Sequence, residues 1–323
     1  MANLKFKKEA GSTSFTAEDV EAAEKSLTRY YSSSQLSTSQ RCRRQYYFAY
    51  VVRLKIPPNG NLIIGKSVHK GVEESLLVKQ RTGKPLKRND VRDIAVEEAR
   101  RSIFNEPHQL DDGESQAAVL DDSAALSSIW ADDVEPKKSP LDPQTARDIL
   151  SNVPPPPFGR PNEPSSSVAQ KGTGIEHGFS IQIPGIKKPV IGYIDLIEKV
   201  KGKKKHLVKL SDTKTSGKAK AEWELKSPQL VLYSIAMAAG KVEVEDIGLD
   251  VLIRPRPKTP RGQTQTDLRR TPATKSEMIH VAEGFRELQA LDAAGSFAPN
   301  YGMQCTWCGY AKLCTTVGKV KAP

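Results

Sequence analysis

The sequence predicts an α/β fold: a central mixed β-sheet flanked by helices, with a helical region before it and a cysteine-bearing segment after it. Two observations carry this. The hydrophobic period is helical through the first hundred residues, becomes strand-like after residue 178, and then alternates helix, strand, helix. With 323 residues, 37% of them hydrophobic, the chain can also bury a core of that size.

Taken in order, Ala17–Tyr31 and Ser37–Val51 have helical spacing, the second rich in Arg and Tyr. Ser67–Lys79 follows with Val68, Val72 and Leu76 at core-facing intervals, and Val91–Ile103 continues in helix. Phe179–Ile183, Val190–Val200 and Lys205–Leu210 read as strands, the last two joined by a Lys201–Lys204 turn into an antiparallel hairpin. Ser227–Ala239 returns to helix with Pro228 in its first turn, Ile247–Ile253 is a further strand, and Thr274–Ala290 is a long helix. One integrated domain is expected, with a helical region over 1–104, an insertion over 105–168, a core over 169–300 and a cysteine segment over 301–323.

Charge is unevenly spread. The net is +11 with pI ≈ 9.3, which suits a polyanionic partner. Residues 105–168 nevertheless hold twelve acids against four bases, together with Pro154–Pro157 and Ser165–Ser167. This stretch reads as a polar, partly disordered excursion with short helices near Ser123–Ala131 and Pro143–Asn152; an acidic lid over a basic groove is the second reading. Pro255–Thr274 reads as a flexible basic loop. Met1–Lys8 is basic without an apolar run behind it, unlike a secretory signal, and no run approaches the roughly 18 apolar residues of a spanning helix. A cytoplasmic protein with reduced cysteines and no membrane association is therefore expected.

Asp195 is the one acid inside the apolar strand Ile191–Ile197, and a buried carboxylate is costly unless paired or bound to a cation. The partner strand runs out into Asp212-Thr213-Lys214, so the hairpin can bring Asp195 and Asp212 together, where a divalent cation would relieve their repulsion. Lys214 shares a face with Asp212. An ammonium beside a cation-activated water suits attack on a phosphate ester. A bare D-x-K fits an ordinary surface ion pair equally well, and the order of other motifs decides. His69 lies at the start of a helix, and Glu176 just ahead of the strands. Gln229 and Tyr233 sit one helical turn apart; as isolated residues these suit packing, a polar strand position and a helix surface.

In that order, helical His69, Gly192 to Asp195, Asp212 to Lys214 and Gln229 to Tyr233, the chain resembles the PD-(D/E)XK nucleases, and within them the RecB-like branch. The resemblance spans residues 34–314 apart from the acidic insertion and implies a restriction-endonuclease-like core. It further implies that His69, Asp195, Asp212 and the Thr213 carbonyl ligate Mg²⁺ or Mn²⁺, that Lys214 positions or activates the water, that Glu176 assists, and that Gln229 and Tyr233 orient the scissile strand. Two departures stand out: Thr213 is small for its place, and Ser211 is polar before the Asp.

Cys305, Cys308 and Cys314 form C-x₂-C-x₅-C, three thiolates that leave a tetrahedral site incomplete; Cys42 is the remaining cysteine. The stretch from Ser34 through Leu36 and Cys42 to Tyr46 looks like the opening of nucleases that carry an iron–sulfur staple. These include AddB-type helicase-nucleases and CRISPR-associated spacer-processing nucleases, where such a set holds one [4Fe–4S] cluster. Four thiolates suit structural zinc as well. Arg41, Arg43 and Arg44 interleave with Tyr46 and Tyr47, a composition fitted to single-stranded DNA. The expectation is a metal-dependent DNA exonuclease acting on ends or single strands in recombination, repair or viral genome processing. It has no phosphate-binding motor loop of its own, so a separate helicase or recombination partner is possible. Alternatives are a spacer-processing endonuclease and a non-catalytic DNA-binding module; the oligomeric state is left open.

Overall fold

The computed structural model describes residues 29–105, 108, 110, 116–157, 173–200, 207–257 and 259–317. The Lys201–Lys204 turn, Ser165–Ser167 and the expected first helix up to residue 28 lie outside them. The helices are α1 (Ser33–Arg41), α2 (Arg43–Tyr46), α3 (Gly60–Thr82), α4 (Arg88–Asn105), α5 (Gln116–Ile129), α6 (Pro143–Leu150), α7 (Pro228–Ala239), α8 (Lys275–Ala294) and α9 (Ala311–Val317). The strands are β1 (Ile175–Ile181), β2 (Val190–Lys199), β3 (Leu207–Ser216), β4 (Glu243–Ile253), β5 (Gln263–Gln265) and β6 (Arg269–Arg270). No described helix is long and apolar enough to cross a membrane.

The described residues form two compact units. One comprises 57–181 and 191–279 and contains the sheet; the other comprises 29–56, 182–190 and 280–317. These groupings do not follow the linear boundaries expected at 104, 168 and 300.

In the sheet-bearing unit the strand order is β1-β2-β3-β4-β5, with β6 also paired to β4. β2 and β3 are antiparallel, whereas β3 and β4 run parallel and are joined through α7. This is the mixed sheet with flanking helices that the sequence predicts, a restriction-endonuclease-like core. α3 is longer than expected. Asn59 caps its start by accepting from the Leu62 N–H at 3.0 Å, and Gly83 ends it at φ 77°. Gly71 brings α3 against α4, since a Cβ there would lie 2.8 Å from the Val91 carbonyl.

Two expectations need correction. The middle of the acidic stretch is not a solvated excursion: Leu126, Ile129, Trp130 and Val134 are buried in one cluster with Ile63, Val68 and Leu76 of α3 and with Leu196 and Leu252 of the sheet. Most of its described acids lie on the outer side of helices whose other side is core, while Glu135 is buried against Lys79, and a net-charge count reveals neither. Pro255–Thr274 is likewise not a flexible loop, because β5 and β6 within it pair with β4.

In the other unit, the expected Ser37–Val51 helix breaks at Cys42, whose backbone is extended between α1 and α2. A π-helical turn, Tyr47–Val51, continues from α2. Phe48, Val52, Leu54, Tyr310 and Leu313 form its small core, and buried Asp292 accepts from the hydroxyls of Tyr31 and Tyr46 at 2.9 and 2.8 Å.

Burial of Trp130 yields a prediction. Trp130→Ala should destabilise the protein by about 3–5 kcal/mol in urea unfolding, the cost of an emptied aromatic core position. A change under about 0.5 kcal/mol, typical of surface sites, would restore the excursion reading.

Candidate active site

The pairing of β2 with β3 runs from Lys199↔Val208 to Leu196↔Ser211 and stops there. Past Ser211, the edge of β3 has lost its neighbour, and the buried backbone of Thr213 needs other partners. Asp195 Oδ2 accepts the Thr213 N–H at 2.8 Å, and His69 Nε2 lies 2.7 Å from the Thr213 carbonyl oxygen. The other imidazole nitrogen, Nδ1, lies 3.6 Å from Asp195 Oδ2 and 3.9 Å from Glu176 Oε1. His69 thus stands in the middle of α3, not at its start. Glu176 reaches it from a left-handed backbone, φ 47°, a conformation that costs a non-glycine residue about 1 kcal/mol or more.

Asp212 is fully buried and held from three directions. Its Oδ2 meets the Lys214 Nζ at 2.8 Å, and its Oδ1 accepts from Gln229 Nε2 at 2.9 Å and from the Tyr233 hydroxyl at 3.0 Å. Lys214 Nζ also donates to Gln229 Oε1 at 3.2 Å, which closes a ring of four side chains. Tyr233 is buried, and in this structure it and Gln229 both hold Asp212. Gly192 of the G-x-x-D motif now has a physical reason. Phe179 covers it so closely that a Cβ would fall 2.4 Å from the ring, and the same ring packs edge-on against Tyr233 at 6.1 Å.

On the opposite face of β3 lies a second ionic network that sequence reasoning missed. Ser211 donates to Glu198 Oε2 at 2.7 Å and accepts from Lys138 Nζ at 3.2 Å and from Arg269 at 3.0 Å. Lys138 Nζ also meets Asp250 Oδ2 at 2.5 Å. Arg269 crosses the strand where Gly248 leaves space, since a Cβ at Gly248 would lie 2.1 Å from the Arg269 side chain. The polar Ser211 is therefore a hub of this network, and Thr213 sits beside Asp250 in the register of β3 and β4. Apolar strands interrupted by Glu198 and Asp250 were the available signal.

His69, Glu176 and Asp195 each offer a ligand atom within 4.8 Å of the others, the donor set of a divalent cation. Asp212 Oδ2 is buried and its 2.8 Å partner is the Lys214 ammonium. Burial alone would lower the His69 imidazolium, but the charge of Asp195 and the hydrogen bond with Glu176 overcome it and carry its pKa from 6.5 to about 9. Burial, then the Asp212 charge, raises Asp195 from 3.8 to about 7. The imidazolium is thus the counter-ion of the acidic nest in the metal-free protein. Both pKa values are raised on folding, so both contributions favour the fold at low pH and are lost as pH climbs through about 7 and then about 9. Metal-free protein should therefore melt at progressively lower temperature from pH 6 to 9, and added Mn²⁺ should reverse the loss. Calorimetry in buffers of different ionisation enthalpy should show proton release on binding. Tyr233→Phe should weaken metal affinity or activity by roughly 10- to 100-fold, as loss of a ligand's hydrogen-bond partner does.

The four cysteines lie in the other unit, none in a disulfide. All four line one cavity of about 90 Å³, with Arg44, Phe48 and Tyr310 among its walls. Asn300 N–H points at Cys42 Sγ, 3.4 Å away, and burial pushes the Cys308 and Cys314 thiols up. Arg41 and Arg43 are exposed and Arg44 partly so. Tyr46 is buried on Asp292, which makes its ring a packing element where base stacking was expected, while the partly buried Tyr47 stacks on Phe297 at 4.9 Å.

Comparison with curated proteins finds no match. The family model of the PD-(D/E)XK nuclease superfamily matches residues 30–315. The paired acids, the lysine two residues beyond the second of them and the sheet that carries them agree with this match: the chain belongs to the PD-(D/E)XK nuclease superfamily.

Proposed function

We propose that this protein is a metal-dependent DNA exonuclease of the RecB-like branch, with its four cysteines holding a [4Fe–4S] cluster. The observation that carries the catalytic part is that His69 and Asp195 both meet Thr213 at the opened edge of β3, with the Asp212–Lys214 pair flanking it in the strand.

His69, Asp195, Asp212 and the Thr213 carbonyl are the residues that would hold Mg²⁺ or Mn²⁺, with Glu176 beside them. When bound, the cation supplies Lewis acidity toward the phosphate and its attacking water. Burial opposes the charge on Lys214, but Asp212 and Asp195 outweigh it and raise the ammonium's pKa. Lys214 therefore stays protonated at neutral pH; it orients water and phosphate by donation and does not serve as a base. Gln229 holds both Lys214 and Asp212, which keeps donor and carboxylate at a fixed separation. Such a ring suits catalysis better than a passive binding module, since burying an acid beside bound DNA otherwise only costs affinity.

For the cysteines, the likeness of the Ser34–Tyr46 stretch and of Cys305-x₂-Cys308-x₅-Cys314 to iron–sulfur nucleases supports the cluster over zinc, and all four cysteines line one cavity. A four-iron cluster held there would tie residues near both ends of the described chain. Work at DNA ends in the cytoplasm, in recombination, repair or viral genome processing, fits the basic charge.

Anaerobically purified protein should release end label from linear DNA with Mg²⁺ or Mn²⁺, leave closed circles intact and stop with chelator. Asp212→Asn should abolish this, and Lys214→Ala should slow it by roughly 10²–10³-fold. Cutting of circles would replace the exonuclease with an endonuclease. The same preparation should be brown and bleach with dithionite, and Cys308→Ser should lose the colour. Colourless protein containing stoichiometric zinc would overturn the cluster.

A further inference from the structure

We propose that the cleft beside Trp223 is a nucleobase subsite, which holds one base of a single DNA strand at the β6 side of the sheet; this rests on the nuclease reading above. The cleft measures about 430 Å³, and its polar lining is Glu222, Trp223, Lys226, Asp267, Arg269 and Arg270. That size is in the range of ligand pockets.

Trp223 is 72% exposed, on the 3₁₀ turn Glu222–Lys226. The turn is fixed from beneath. Lys220 Nζ meets Glu224 at 2.8 Å, while the Lys220 backbone N–H and carbonyl both bond the Gln265 side chain, at 2.8 and 3.2 Å. An indole carried on a fixed turn and exposed to water offers a flat face to an incoming ring.

Charge then selects the occupant. Arg269 is committed to the Leu210 carbonyl and Ser211, and Arg270 to Glu277 and the Leu225 carbonyl, so both are walls. Among the described residues, Lys226 is the cleft cation that is not engaged in an ion pair. Glu222 and Asp267 repel a phosphate from the interior but accept hydrogen bonds from the exocyclic amines of bases. A nucleotide with its base on Trp223 and its phosphate toward Lys226 satisfies all of these at once.

Chain continuity and strand register connect the cleft to the elements that carry the site. The turn runs through Ser227 directly into α7, whose Gln229 holds Asp212. Arg270 pairs with Ile247, and Ile247 with Leu210, two residues before Asp212, so Arg270 stands on the sheet face that carries Asp212.

The test is anisotropy of a labelled single-stranded oligonucleotide with chelator present, in which each nucleotide in turn is replaced by an abasic residue. Wild-type protein should show one position where the replacement lowers affinity roughly tenfold, the worth of one stacked base. Trp223→Ala should bind the intact strand weaker by the same factor and ignore the abasic residue at that position, and Trp223→Phe should recover most of the affinity. Lys226→Ala should reduce the salt dependence by about one phosphate contact. A flat abasic scan, or equal binding by wild type and Trp223→Ala, overturns the subsite. Cleavage with Mg²⁺ is scored separately on the same proteins. Trp223-dependent binding without cleavage upholds the subsite and refutes the nuclease reading, cleavage with a flat scan does the reverse, and neither binding nor cleavage overturns both.

Discussion

Where β3 parts from β2 beyond Ser211, a buried amide and a buried carbonyl lose the partners a sheet would give them, and the cost of leaving them bare is a few kcal/mol. Asp195 and His69 meet that demand, one at each polar atom of Thr213. The opened edge thereby fixes three things together: the height of Asp195 above the sheet, the orientation of the imidazole, and a carbonyl that faces the same point as both. The ring around Asp212 depends on it in turn, because Asp212 and Lys214 flank Thr213 and project together on one side. Had the hairpin stayed paired through this point, the Thr213 backbone would be occupied and the acids would face each other across a closed ladder.

β3 carries buried charge on both of its faces, which is unusual for a central strand. On one side, Asp212 and Lys214 are bound to Gln229 and Tyr233; on the other, Ser211 links Lys138, Glu198 and Arg269. Each network is nearly self-satisfied, and the alternating direction of strand side chains keeps them apart. The rear network is costly to desolvate and offers no reacting atoms, yet any change in the register of β3 would disrupt it. It therefore resists the sliding of the strand that would misplace Asp212.

The alternation of helix and strand patterns and the four ordered motifs were enough to bring the sheet, its helices and the acidic site into view, because each depends on short-range periodicity. Non-local compensation was hidden. Lys138 sits in a stretch that looks acidic and solvated by composition, but its ammonium is buried against Asp250, a pairing far apart in the chain. Trp130 was similarly submerged in its acidic surroundings. Tyr46 has the composition of a DNA-stacking residue and the structure of a core residue, and only the location of Asp292 tells the two apart. The motif Gln229-x-x-x-Tyr233 announced one helix face but not that this face looks inward to a carboxylate.

The arrangement of the cysteines has a bearing on biosynthesis. Cys42 leaves the ribosome early, whereas Cys305, Cys308 and Cys314 follow only after every residue of the sheet-bearing unit has been made. At ordinary rates of translation this delay is roughly tens of seconds, long compared with the folding of most domains. The unit that contains Asp195 and Asp212 can thus acquire its structure while the thiol cavity still lacks three of its four cysteines, and that cavity matures only once Cys314 has been made.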